Sequence, residues 1–171
     1  MPQSGHHHRR LRRLSTNDLQ TIADRLAIQD VVLRYFELVD SKKWDQMHEA
    51  FTEDTTARWT PESVIEGCDG LAGALRAMSG SSEIVTYHHV ACMTPIVDGD
   101  TAEVTVRVRA MHHGAGPRTG KFYESLGVQP TRLVRTPEGW RIKHHDWIIV
   151  VKHGSMEELF APELAARGRH G

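Results

Sequence analysis

The chain is poor in cysteine: Cys68 and Cys92 are the only two in 171 residues. They form no CxxC pair and no other metal-ligand spacing, which excludes a disulfide-dense scaffold and a cysteine-built zinc site. Both read as reduced thiols of a cytoplasmic protein. No apolar run approaches the roughly 18 residues needed to cross a bilayer, so no membrane helix is expected. The N-terminal stretch lacks the apolar core of a secretory signal. Charge of one sign is lacking as well. Lys and Arg number 21 against 22 Asp and Glu, for a net charge of -1 with neutral His, which gives no global electrostatic case for a nucleic-acid partner. Internal repeats are absent, and the length suits one domain.

What is present is histidine, 12 in all. Three of them, His6-His7-His8, open a basic run through Arg9, Arg10, Arg12 and Arg13. Residues 1–15 read as a flexible basic tail, 16–155 as the single domain, and 156–171 as a C-terminal tail. Ser15, Thr16 and Asn17 offer helix caps. Ile28, Val32, Tyr35 and Val39 then recur at helical spacing, with Phe36 beside them, up to Asp40. Trp44, Met47, Ala50 and Phe51 mark a second, short helix, and 55–59 is β-prone. Residues 61–70 read as a loop, and Leu71, Ala74, Leu75 and Met78 mark a third helix.

The character changes from Ile84 onward. Residues 84–97 read as a strand in which Pro95 suggests an edge or bulge. Asp98-Gly99-Asp100 is a hairpin signal. Val104, Val106, Val108 and Ala110 alternate with Glu103, Thr105, Arg107 and Arg109. Further strands are expected over about 127–135 and 140–151, joined by the turn Pro137-Glu138-Gly139. Helices followed by hairpin-linked strands imply an α+β fold, with one face of a curved, mostly antiparallel sheet packed on three N-terminal helices. Trp44, Met47, Phe51, Leu71, Leu75, Val106 and Trp140 are the expected core. Such a cone-shaped α+β barrel has a mouth, and a mouth makes a pocket.

Two residues far apart in sequence carry the chemistry. Asp40 ends the first helix and His88 opens a strand. A carboxylate that orients an imidazole makes a general base near neutral pH. Asp40 could instead be a solvated helix-end acid beside Lys42 and Lys43, although an acid there opposes the helix dipole. His88 and His89 face opposite sides of a strand, so only one can enter a pocket. His88 could be a hydrogen-bonded core residue. Tyr35 lies on the apolar helix face, where its hydroxyl needs a partner, which a pocket supplies. His112-His113 and His144-His145 are adjacent pairs near strand ends, and His112 and His144 are the candidates for the concave side. No HxH or HxxxH pair supports a metal, so no metal or cofactor is expected. Trp44, Phe51, Trp59, Met78, Met93 and Trp147 read as core or pocket wall, suited to a hydrophobic, oxygenated small molecule.

The stretches Ala27-Ile28-Gln29-Asp30, Tyr35-Phe36 to Asp40, Trp44-Asp45 to Phe51, His88 with Asp98-Gly99-Asp100, and Arg135-Thr136-Pro137-Glu138-Gly139-Trp140-Arg141-Ile142 resemble the nuclear-transport-factor-2-like superfamily, in its SnoaL-like branch. That branch includes scytalone dehydratase, hexachlorocyclohexane dehydrochlorinase and bile-acid 7α-dehydratase. The resemblance implies that Asp40 and His88 form a catalytic dyad and that Tyr35 assists as an electrophilic stabiliser. It also implies that His112 or His144 supplies a second pocket histidine, that Trp59 and Cys92 join the substrate-binding wall, and that the chain is a homodimer. Cys92 stands where many relatives have Asn, and Ile149 where the bile-acid enzyme has Arg. The expected activity is a cofactor-independent lyase or isomerase (dehydratase, double-bond isomerase or cyclase) acting on a steroid or polyketide. The alternatives are a non-catalytic ligand-binding or assembly module, or a structural subunit of a ring-hydroxylating oxygenase.

Overall fold

Helix α1, Thr16–Asp40, is the long element on which the site is built. A computed structural model describes residues 16–160. The basic run with His6-His7-His8, the Ser15 cap and the segment 161–171 lie outside the described residues. Ile28, Val32, Tyr35, Phe36 and Val39 are buried as the helical spacing requires, and Leu38 joins them. The helix stops at a Schellman motif. Lys42 takes a left-handed φ of 57°, its N–H donates to Val39 O, and that of Lys43 donates to Leu38 O. The Lys42 ammonium then turns away from Asp40 to the carbonyls of Ser81 and Ile84, and so ties the helix end to the start of the third strand.

The expected second helix is a short 3-10 helix, Trp44–Glu49, that buries Trp44 and Met47. Strand β1 is Phe51–Thr60. The expected loop over 61–70 is replaced by β2, Ser63–Glu66, paired antiparallel with β1, and by the start of α2, Cys68–Ser79. Cys68, read as a loop residue, is therefore a buried helix residue; β2 is short and largely exposed, so it carries no hydrophobic pattern to betray it. The expected strand over 84–97 is two, β3 (Ile84–Ala91) and β4 (Ile96–Asp98), broken before Pro95. The Asp98-Gly99-Asp100 turn leads into β5, Thr101–Gly114, where Gly99 takes φ 57°. On β5 Val104, Val106, Val108 and Ala110 are buried, while Glu103, Thr105, Arg107 and Arg109 are exposed. Strand β6, Phe122–Thr136, begins earlier than the sequence indicated, and the last expected strand divides into β7 (Gly139–Asp146) and β8 (Ile148–Gly154).

These eight strands form one sheet in the order β2-β1-β7-β6-β5-β3, with β4 also on β5 and β8 also on β6. Only β1 and β7 pair parallel. The architecture is thus the expected α+β one, with α1, the 3-10 helix and α2 against a mostly antiparallel sheet. Trp44, Met47, Phe51, Leu71, Leu75, Val106 and Trp140 are all in the core. The C-terminal boundary differs from expectation. Residues 156–160 are helical, and Leu159 and Phe160 are fully buried, so this segment belongs to the domain. Arg118 Nη1 holds it through Leu159 O at 2.8 Å. Among the described residues no helix is long and apolar enough to cross a membrane.

Candidate functional site

The inward row of β3 is Ile84, Thr86 and His88, because Val85, Tyr87 and His89 point outward. His88 therefore faces α1, and the end of α1 carries Asp40. Asp40 Oδ1 lies 2.6 Å from His88 Nδ1, and the backbone N–H of His88 donates to Asp40 Oδ2 at 2.9 Å. Burial pushes the Asp40 carboxyl up, but the hydrogen bond from the His88 ring, the charge of that imidazole and the backbone N–H outweigh it and hold the pKa below the usual range. An ionised carboxylate only accepts, so Nδ1 carries a proton in either charge state of the ring, and in the neutral imidazole the lone pair stands on Nε2. The Asp40 side chain is 24% exposed and that of His88 10%.

His88 lines a cavity of about 290 Å³ between α1, α2 and the concave sheet. Phe36, Val39, Leu75, Val108, Trp147 and Phe160 make up much of its wall, and among the described residues no Asp, Glu, Lys or Arg lines it. Asp40 itself sits behind His88. Tyr35 lines the cavity, edge-on to Phe51, with its ring centroid 5.5 Å from that of His145. Burial, with Asp40 nearby, pushes the Tyr35 hydroxyl up, so it stays a phenol and a donor. His112 stands perpendicular to His88 with ring centroids 5.7 Å apart. Burial and the neighbouring His88 push His112 down to about 4, so it is neutral at pH 7.

Two expected site residues are elsewhere. His144 does not reach the cavity; it bonds Thr56 Oγ1 at 2.7 Å and Asp146 Oδ1 at 3.2 Å. Its neighbour His145 lines the cavity instead. The reason is a β-bulge. Leu133 pairs with Ile142 but Arg132 pairs with His144, so Lys143 is an extra residue and the alternation from Trp140 and Ile142 skips one position. Cys92 is the other correction. Pairing of β3 ends at Ala91, and Cys92 takes φ 58° and is exposed, outside the cavity wall. Trp59 is on the wall as expected, and its Nε1–H donates to His145 Nε2 at 3.4 Å. That fixes the His145 proton on Nδ1, which is buried without a partner. Burial pushes His145 down to about 3.

Sequence reasoning also missed Ser125 and Gln129, which line the cavity from β6. Their signal is the polar row Tyr123, Ser125, Gln129 and Thr131 on alternate positions, which Gly127 interrupts and which begins ahead of the strand expected over about 127–135. No group of three or more His, Cys, Asp or Glu among the described residues is arranged to hold a metal ion.

Residues 20–146 match the family model of the SnoaL-like domain. The chain belongs to the SnoaL-like family. A relative within reach of sequence comparison is the uncharacterized protein Rv2910c of Mycobacterium tuberculosis, 30% identical over 125 residues that cover 71% of this chain and 82% of the relative. Among solved structures, hexachlorocyclohexane dehydrochlorinase LinA-type3 from Novosphingobium barchaimii superposes with a TM-score of 0.68 at 15% identity, covering 81% of this chain and 94% of the other. An NTF2-like protein with a cystatin-like fold from Novosphingobium aromaticivorans superposes with a TM-score of 0.65 at 22% identity, covering 80% and 90%. At these identities the two structures establish the fold of this SnoaL-like chain, and the site rests on its own geometry.

Proposed function

We propose that this SnoaL-like protein is a cofactor-independent lyase or isomerase in which His88, oriented by Asp40, removes a proton from a neutral, hydrophobic, oxygenated small molecule. The observation that carries this reading is the 2.6 Å Asp40–His88 contact at the edge of an apolar cavity that no charged side chain lines among the described residues. His88 Nε2 takes a proton from carbon next to a carbonyl or a leaving group, and the imidazolium that forms is balanced by Asp40. The Tyr35 phenol, which lines the same cavity, would donate to the oxygen on which charge develops, with neutral His112 beside His88. The imidazolium then returns the proton to another carbon, which completes a double-bond shift, or to a departing hydroxyl, which completes a dehydration. Ring closure shares the first step.

The step is testable without the natural substrate. In D₂O the protein should accelerate deuterium uptake at the carbons flanking the carbonyl of 2-tetralone, followed by NMR. His88→Ala should lower that rate by about 100-fold or more, the range of a single general base. Asp40→Asn should lower it as well, and the double variant should be no worse than His88→Ala, since the two residues act as a unit. Unchanged exchange in His88→Ala, or full exchange in Asp40→Asn, contradicts the assignment.

The homodimer is likewise a proposal. Tyr87, Leu126, Ile148, Val150 and Val151 are exposed, and among the described residues β8 pairs with β6 alone, which leaves its other edge open. Light scattering should give twice 19.3 kDa at micromolar concentration; the monomer mass would overturn it. The same exposed residues support the alternative reading of a non-catalytic ligand-binding or assembly module, which a dimer without any exchange activity would select.

A further inference from the structure

The inward faces of the central strands differ in kind. On β5 that face is Val104, Val106, Val108 and Ala110 before His112, whereas on β6 it is Tyr123, Ser125, Gln129 and Thr131. Gln129 is the most telling member. It is 4% exposed, lines the cavity, and its side-chain amide has no hydrogen-bond partner among the described residues. Burying a primary amide without partners costs free energy that a leucine at the same place would not. Its donors and acceptor are therefore met by whatever occupies the cavity: water in the free protein, and a polar atom of the ligand in the complex.

The register gives Gln129 a place relative to the dyad. His88 pairs with Ala110, and Ala110 with Ser125, so these three lie in one row across the sheet. Gln129 pairs with Val106, four residues further along β6, which at the usual strand rise is about 13 Å from that row. Between them stands Gly127, over which the Trp147 ring lies; a Cβ there would come within 2.8 Å of that ring. The indole thus walls the stretch between the dyad end and the Gln129 end with an apolar plane. With no ionic group in the lining among the described residues, a carboxylate or ammonium at the far end finds no counter-charge there, while a hydroxyl or carbonyl would suit an amide that both donates and accepts.

We propose that Gln129 is a specificity-determining residue, whose amide binds a second, neutral oxygen of the substrate at the end remote from the atoms that meet His88. This inference rests on the reading of the Asp40–His88 cavity as the substrate site. It restricts the substrate class to elongated, uncharged molecules with oxygen functions at both ends.

The test uses binding, not turnover. Isothermal titration calorimetry of the full chain with 2,6-naphthalenediol and with 2-naphthol compares two neutral probes of one shape, with and without the second oxygen. The diol should bind about fivefold more tightly, the size of one net hydrogen bond. In Gln129→Met, which keeps the length of the side chain and removes its polar atoms, the preference should fall to at most about the factor of two that a symmetric diol gains from its equivalent orientations, while the affinity for 2-naphthol is retained. Equal affinities in the wild type overturn the inference, and that comparison stands whether or not the variant folds. A preference that persists in Gln129→Met also overturns it. Binding of neither probe overturns the cavity reading itself, a result distinct from binding without selectivity.

Discussion

Asp40 is engaged twice by one residue, since its two oxygens take the ring Nδ1–H and the backbone N–H of His88. An asparagine has a single acceptor oxygen, so in Asp40→Asn either its amide N–H₂ stands against one of those two N–H groups, or the ring moves its proton to Nε2 and accepts at Nδ1, which removes the free base from the cavity. The variant should lose about 1–2 kcal/mol of stability in urea denaturation as well as most of its exchange activity, and it should still fold. Full stability together with lost exchange would mean that the backbone bond is dispensable. This double engagement was not legible in the sequence. The pairing of the two side chains was inferred there from residue type and from family resemblance, because a helix-end acid and a strand histidine are unusual in their places. The inward facing of Tyr35 is legible by helical spacing and that of His112 by strand alternation, while Trp59 is marked by residue type alone. His145 in place of His144 is not legible, because the inserted residue that sets its facing depends on the partner strand, and Cys92 enters through the resemblance alone, which does not say where the pairing of β3 ends.

Strands rather than helices decide the shape of the cavity, and at that scale glycine is informative. Gly127 sits on the inward face of β6, where an added Cβ would lie 2.4 Å from Ile148 O and 2.8 Å from the Trp147 ring. Its value lies in close approach: the β7–β8 link runs beside β6 there, and Trp147 takes the space a side chain would fill. Gly127→Ala should therefore destabilise the protein by about 1–3 kcal/mol, as overpacking does, and should displace Trp147 from the cavity wall. Chemical denaturation and the tryptophan fluorescence spectrum measure the two effects. A variant equal to wild type in both would mean that the link can shift freely. The helices and the alternating strand β5 were readable because each buries one regular stripe. Short exposed β2 and the division of β7 from β8 were not, since both are set by pairing partners distant in sequence.

Across the whole molecule, the fold encloses imidazoles that it keeps uncharged. His112 is pushed down to about 4 and His145 to about 3, in both cases chiefly by burial. In the unfolded chain both return to about 6.5. Between about pH 6.5 and pH 4 the unfolded state therefore binds more protons than the folded one. The stability these two groups allow is fully present above pH 6.5 and is lost as the pH falls through that window. Lowered carboxylates act later. Asp24, held down by its paired hydrogen bonds from Arg135 against the cost of burial, and Asp40, held down by His88, have folded pKa values below the usual 3.8, and so remove stability only when acid reaches that range. The two windows separate the histidine contribution from the carboxylate one. Urea denaturation from pH 7 to pH 4.5 should show a fall in stability, of which each of the two imidazoles supplies a slope of up to about 1.4 kcal/mol per pH unit. His145→Phe keeps an aromatic ring beside Tyr35 and Phe51 while removing the titration, so its profile should be shallower than the wild-type one by about that slope. Parallel profiles would mean that His145 takes up its proton in the folded state as readily as in the unfolded one, and that the cavity floor is wetter than its burial implies.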